Sequence, residues 1–283
     1  QASLEEQEEP TQDKDPESVA TPTSSPYDLA ALETALHESV NEKRKEHDLD
    51  KVARNKEVRE VAREHSQNLA EQNKAFTNDG DSCDLPMIHH EGLDFGFYSD
   101  DRLKNRGVNY FSQTGENLAL VSTEINTLTY EKDTQNPAER CQQIRNNLNT
   151  QFKTNLNNAE SEEEKKQVIT QEIENRKEVF NNMDSIKITS REIKDREEIA
   201  RDIVQGWMNS PPHKENILQE SYNEAGMGVA YINGYIIATQ VFIKKIDCGY
   251  QEGPCCKEEG YYPYCYQSLE CQEGTCVSTS TNS

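Results

Sequence analysis

The run Gly228-Val-Ala-Tyr-Ile-Asn-Gly-Tyr-Ile-Ile-Ala-Thr-Gln-Val-Phe242 narrows the possible folds most, because it sets two β-branched and aromatic stretches around an Asn233-Gly234 pair. That dipeptide, flanked in this way, is the strongest short-range hairpin signal. From Tyr27 onward Leu29, Leu32, Leu36 and Val40 recur every three or four residues, with Ser25-Pro26 as a start signal. After a turn at Leu49, Val58, Val61, Ala62, His65, Leu69 and Ala70 form a second stripe, on which His65 reads as a hydrogen-bonded core histidine. A third helix from about Arg191 carries Ile199, Ile203, Val204 and Trp207 and ends near Ser210-Pro-Pro. Helices outside a small antiparallel sheet make the fold class α+β, a three-layer arrangement.

Four regions lie outside this pattern or interrupt it. Residues 1–26 are rich in Glu, Pro, Ser and Thr with almost nothing to bury, and read as a disordered tether. Residues 76–117 read as loop and short elements, with Gly115-Glu116-Asn117 as a turn. Residues 130–190 carry two narrow stripes. The first is Cys141, Ile144, Leu148, Phe152 and Leu156; the second, after a capping box at Ser161-Glu-Glu-Glu164, is Ile169, Ile173, Phe180 and Met183. They predict an inserted, charged helical hairpin that projects as an arm. Residues 246–283 hold six of the eight cysteines, Cys248, Cys255, Cys256, Cys265, Cys271 and Cys276. So short a segment cannot build a core, and three disulfides are expected to staple it. A zinc site is the alternative, although the spacing lacks paired C-x2-C knuckles. Cys83 and Cys141 stand apart, and a bond between them would tie the histidine-bearing loop to the base of the arm.

With 52 acidic against 30 basic residues the net charge is -22, which repels nucleic acid and anionic lipid surfaces. Hydrophobic residues make up only 33% and mean hydropathy is -0.97, in keeping with one compact domain bearing appendages. No stretch approaches the roughly 20 apolar residues of a membrane span. The cysteine density points to an oxidising, extracellular setting. A start at Gln1 suggests that a signal peptide or a membrane or cell-surface anchor preceded it.

Chemistry-bearing residues gather in Ile88-His89-His90-Glu91-Gly92, in Gly115-Glu116-Asn117-Leu-Ala and in Ser210-Pro-Pro-His213-Lys-Glu-Asn216. Two imidazoles and a carboxylate could hold Zn²⁺ or another divalent metal, or act as acid and base. Ser112, Ser210 and Ser221 sit in no recognisable nucleophile context.

These clusters, in this order, resemble the CAP superfamily of cysteine-rich secretory, antigen 5 and pathogenesis-related 1 proteins, most closely its microbial SCP-like extracellular branch. The resemblance rests on Asn41-x-x-Arg44, Ala62-x-x-His65-Ser66, His90-Glu-Gly-Leu, Gly115-Glu116-Asn117, Trp207-Met-Asn-Ser-Pro-Pro-His213-Lys-Glu-Asn216-Ile-Leu218, Tyr222 to Gly228 and Thr239-Gln240-Val-Phe242. It implies an α-β-α sandwich over residues 27–245, with the hairpin inserted at 130–190 and the cysteine-rich module appended. It further implies a cleft lined by His90, Glu116 and His213, with His89 competing for the first position. Animal and plant members complete a tetrad with a Glu and a His where this chain has Ser210 and Ile237, so a full metal tetrad is not expected and no cofactor is required. The resemblance favours an extracellular binding module, secreted or surface-tethered, for a lipid, small molecule, divalent metal or peptide. The alternatives are a metal-assisted hydrolase of peptide or cell-envelope material, and an adhesion protein using the arm and tail.

Overall fold

The computed structural model describes residues 25–78, 83–128, 137–183, 188–256, 264–266 and 269–278. The expected tether falls almost wholly outside them, as do parts of the insertion and of the cysteine-rich module. The elements in chain order are α1 (Leu29–Glu46), β1 (Ala53–Arg54), α2 (Lys56–Asn73), α3 (Ser99–Asn105), β2 (Phe111–Ser122), β3 (Glu124–Leu128), α4 (Pro137–Asn158), α5 (Glu162–Asn181), β4 (Ile188–Ile193), α6 (Arg196–Asn209), α7 (Pro211–Leu218), β5 (Glu224–Ile232), β6 (Tyr235–Lys245), β7 (Leu269–Gln272) and β8 (Thr275–Ser278).

The hairpin expected around Asn233-Gly234 is β5–β6, and both turn residues adopt positive φ, as a two-residue turn of this type requires. β6 pairs antiparallel with β5 on one side and β2 on the other, while β1 adds a short parallel edge, giving the order β1-β5-β6-β2. Alternation along β6 divides the core. Ile236, Ala238 and Phe242 face α1 and α6 with Leu32, Leu36, Ile203 and Trp207. Val241 and Ile243 join Val58, Val61 and Ala62 of α2, and Ile237 joins its Leu69. These are the three layers, helix, sheet and helix.

α2 lies almost against the β5 backbone because Gly226 and Gly228 leave it room. A Cβ on Gly228 would stand 2.0 Å from the Arg63 amide nitrogen, and one on Gly226 2.3 Å from that of Arg59. No flexible side chain could yield there. Arg44 on α1 is fully buried and donates to the carbonyls of Asp50, Ile217, Gln219 and Tyr222, while Asn41 both donates to and accepts from the Val52 backbone.

The inserted hairpin forms as α4 and α5, with the Ser161–Glu164 capping box in place, but it is not a projecting arm. Its apolar stripes, Cys141, Leu148, Phe152 and Ile169, pack on Phe76, Leu85 and Met87 of the main domain. The stripe is shared with the loop after α2 rather than being confined to a helix pair. Arg176 on α5 is fully buried in this contact. It donates to the carbonyls of Leu85 (2.8 Å) and Pro86 (3.1 Å), to Asn149 Oδ1 and to the Glu172 carboxylate. Cys83 bonds to Cys141. The expected helix start at Arg191 is also corrected: β4 occupies that position, pairs with β3 at the base of the insertion, and α6 begins after an Asp195 cap. In the tail Cys248 pairs with Cys256, Cys255 with Cys271 and Cys265 with Cys276.

Overpacking a backbone contact costs about 1–3 kcal/mol, so Gly228→Val is expected to lower the unfolding free energy in urea by about 3 kcal/mol. A change below about 1 kcal/mol would mean that α2 can shift away. Arg176→Ala leaves Glu172 and two loop carbonyls without their buried partner, at a cost of about 3 kcal/mol. Limited proteolysis should then cut first within residues 137–183; unchanged resistance there would contradict the docking contact.

Candidate functional site

Glu116 is the hub of the site, and it lies within β2, not in a turn. Gly115-Glu-Asn has turn chemistry, but its glycine serves close approach instead: a Cβ there would meet the Tyr222 hydroxyl at 2.5 Å and Asn216 Oδ1 at 2.8 Å. The Glu116 side chain is 5% exposed. One carboxylate oxygen accepts from His90 Nδ1 at 3.0 Å and lies 3.9 Å from His65 Nε2; the other accepts from the Arg102 guanidinium. Burial opposes ionisation of Glu116, but the His90 hydrogen bond and the charges of His65 and Arg102 outweigh it and hold the group at about 2.

The histidines have different roles. His90 is half exposed, and because an ionised carboxylate only accepts, its Nδ1 is the donor and Nε2 carries the free lone pair. His213 sits at the start of α7, opened by Pro211-Pro212, with its ring centroid 6.4 Å from that of His90. Burial, then the proximity of His90, lowers its pKa. His89 turns the other way: it is buried, bonds to Gln72 Oε1 at 2.9 Å and meets the Phe152 ring edge-on. Burial lowers its pKa to about 3. His65 is a core histidine, as expected, with Nε2 at 3.2 Å from the His89 carbonyl, and burial lowers it to about 4. It also stands beside the site, which its place on a helical stripe did not indicate.

Consecutive β2 residues hold the Trp207–Leu218 segment in place. Asn216 donates to the Glu116 carbonyl (3.1 Å) and to Asn117 Oδ1 (2.9 Å), Asn117 donates to the His213 carbonyl (3.1 Å), and Trp207 Nε1 donates to the Leu118 carbonyl (2.9 Å). Sequence reasoning missed Arg102. The residue is 3% exposed on α3, bonds Glu116, and donates to the His90 and Phe97 carbonyls. An arginine in Ser-Asp-Asp-Arg-Leu-Lys-Asn carries no signal of burial.

As a third metal ligand Glu116 fits poorly, since Arg102 and His90 engage both its oxygens. Among the described residues the one trio of His, Cys, Asp or Glu ligand atoms within 4.8 Å of one another is Cys255, Cys265 and Cys276, whose sulfurs are bonded in disulfides. His90 and His213 could bind a divalent ion only as a two-imidazole site, with Glu116 orienting His90 from behind.

Next to this polar end lies a chamber of about 680 Å³. Leu118, Ala119, Leu120 and Val121 of β2, Ile203, Gly206 and Trp207 of α6, and Phe152, Lys153 and Leu156 of α4 line it, together with the His89-His90-Glu91 loop, Ser210 and His213. The insertion thus supplies one wall of the cleft.

The buried titrating groups set an acid limit on stability. Each has a folded pKa below its unfolded value, so its contribution is complete above the unfolded pKa and lost as pH falls through the folded one. Stability should therefore fall first between pH 6.5 and about 3, as His65 and His89 take up protons. A second loss should follow between pH 4.5 and about 2 from Glu116. Urea titrations of Glu116→Gln should show a lower plateau and lack the second loss, of order 3 kcal/mol. An unchanged acid limb would contradict the pinned carboxylate.

Among known proteins, the CAP family, described as the cysteine-rich secretory protein family, matches over residues 125–242. No curated protein matches the chain. Solved structures similar to it include an extracellular protein with an SCP domain from Bacillus anthracis, with 18% identity over 77% of this chain and 41% of that one, at a TM-score of 0.41. An outer surface protein of Borrelia burgdorferi shows 15% identity over 77% of this chain and 96% of that one, also at 0.41. A cysteine-rich secretory protein of Staphylococcus aureus shows 15% over 78% and 40%, at 0.36. The chain spans about two-fifths of the length of the Bacillus and Staphylococcus proteins. Residues 125–242, from β3 into β6, thus carry a match to the CAP family of cysteine-rich secretory proteins, within a chain whose core is an α-β-α sandwich.

Proposed function

We propose that this protein is an extracellular CAP-domain binding module that holds an apolar or amphipathic small molecule in the α4-walled chamber and performs no chemistry on it. The observation that carries this reading is the chamber itself. Its volume of about 680 Å³ falls within the range of about 300–1,000 Å³ typical of ligand pockets. Leu120, Val121 and Leu156 line it while still partly exposed, leaving apolar surface that a ligand would remove from water. Against catalysis stands Glu116, which at about 2 is a weak base near neutral pH. An oxidising setting is supported by the absence of free cysteines, and no described helix is long and apolar enough to cross a membrane.

The test uses the full chain and N-phenyl-1-naphthylamine, a neutral apolar fluorophore. Saturable binding with one site per chain is expected, weakened at least tenfold by Leu156→Asp at the chamber wall. Absence of saturable binding by the unmodified protein, or an unaffected variant, would overturn the reading.

A further inference from the structure

The outer edge of β2 is covered over part of its length and open at the chamber. Ile232 and Tyr235 flank the two-residue turn and are paired, and residues so placed exchange both backbone hydrogen bonds. Alternation along β6 then turns the backbone groups of Ile236, Ala238, Gln240 and Phe242 toward β2, where they meet Val121, Ala119, Asn117 and Gly115. The β2 residues in between, Glu116, Leu118 and Leu120, direct their N–H and C=O groups away from the sheet. Side chains take two of these carbonyls: Asn216 donates to that of Glu116 and Trp207 to that of Leu118.

At Leu120 this cover ends. Among the described residues β2 pairs with β6 alone, and neither the N–H nor the C=O of Leu120 has a hydrogen-bond partner there. Leu120 is partly exposed and lines the chamber. A donor and an acceptor left together on an extended edge are the recognition element of β-strand addition. One residue of an antiparallel strand satisfies both, so the smallest unit that matches is a single amino-acid residue acylated on its nitrogen.

Resting on the chamber reading above, we propose that the ligand is an N-acylated amino acid or short N-acyl peptide, bound extended beside β2. Its amide N–H donates to the Leu120 carbonyl, its own carbonyl accepts from the Leu120 N–H, and its acyl chain lies against Phe152 and Leu156 of α4, which line the same chamber.

The full chain is titrated by calorimetry with N-octanoyl-leucine methylamide and with the ester analogue in which oxygen replaces the leucine N–H. The ester keeps the extended shape and is less polar, so a cleft that recognises only apolar surface would bind it more tightly. The amide is expected to bind at one site per chain, about tenfold tighter than the ester, because the ester leaves the Leu120 carbonyl without a donor. On the protein side, Leu120→Pro removes an N–H that lies outside the ladder, a position where an edge strand tolerates proline. Leu120→Val makes a similar change of side chain and keeps the N–H. The proline variant should fold, as judged by circular dichroism, and bind the amide about fivefold less tightly than the valine variant. Failure of the amide to bind, equal or tighter binding of the ester, or a folded Leu120→Pro protein that matches Leu120→Val overturns the proposal. If the proline variant does not fold, the comparison of amide with ester decides alone. Where N-phenyl-1-naphthylamine still binds in the overturning cases, the chamber reading survives; if the unmodified protein takes up no fluorophore, both fall.

Discussion

The clamp between Asn117 and Asn216 is the contact on which the site's geometry depends. Each amide bonds the other's element, Asn216 to the Glu116 carbonyl and Asn117 to the His213 carbonyl, with a further bond between the two side chains. Because Glu116, Asn117 and Leu118 are successive strand residues, α7, the clamp and the Trp207 indole are set by one stretch of β2. The backbone that carries His213 is therefore positioned by the same strand that presents Glu116 to His90. Buried amides bonded at several atoms in this way leave little freedom for the elements they join.

Buried arginines extend the same logic to the irregular segments. Arg44, Arg102 and Arg176 are each 3% exposed or less, and each donates to carbonyls that no helix or strand satisfies. Arg44 serves the chain around α7, Arg102 the His90 loop, and Arg176 the segment at Leu85-Pro86. A planar guanidinium with five donors suits this work better than an ammonium. The carboxylates beside Arg102 and Arg176, Glu116 and Glu172, supply compensating charge. The loop bearing His89 and His90 is thus held from both sides, by the main domain through Arg102 and by the insertion through Arg176.

Most of the architecture was legible because it rests on periodicity. The stripes of α1, α2, α4, α5 and α6 and the Asn233-Gly234 turn encode their own partners, and Asn41 and Arg44 stand where the family resemblance put them. What could not be read was long-range. The stripe of α4 gives no hint that half its partners lie at Phe76, Leu85 and Met87, so a docked wall looked like a free arm. Gly115 carries the signature of a turn, and only the positions of Tyr222 and Asn216 explain why a strand needs glycine there. His90 and His89 are adjacent in sequence and opposite in role, a distinction set by which side of the loop meets Glu116. Arg102 gave no signal, since burial of one arginine among charged neighbours depends entirely on the fold.

The bond between Cys83 and Cys141 closes a covalent ring with a sequence separation of 58. A loop of that size restricts the unfolded chain by roughly 4 kcal/mol on the entropic account. His90, Arg102 and Glu116 all lie inside that ring, whereas most of α4 and all of α5 lie beyond it. A break in the turn between the two helices would leave the ring unopened. The His90–Glu116 pair and the outer wall of the cleft therefore differ in topology as well as in chemistry: one belongs to a closed circuit of chain, and most of the other lies beyond it.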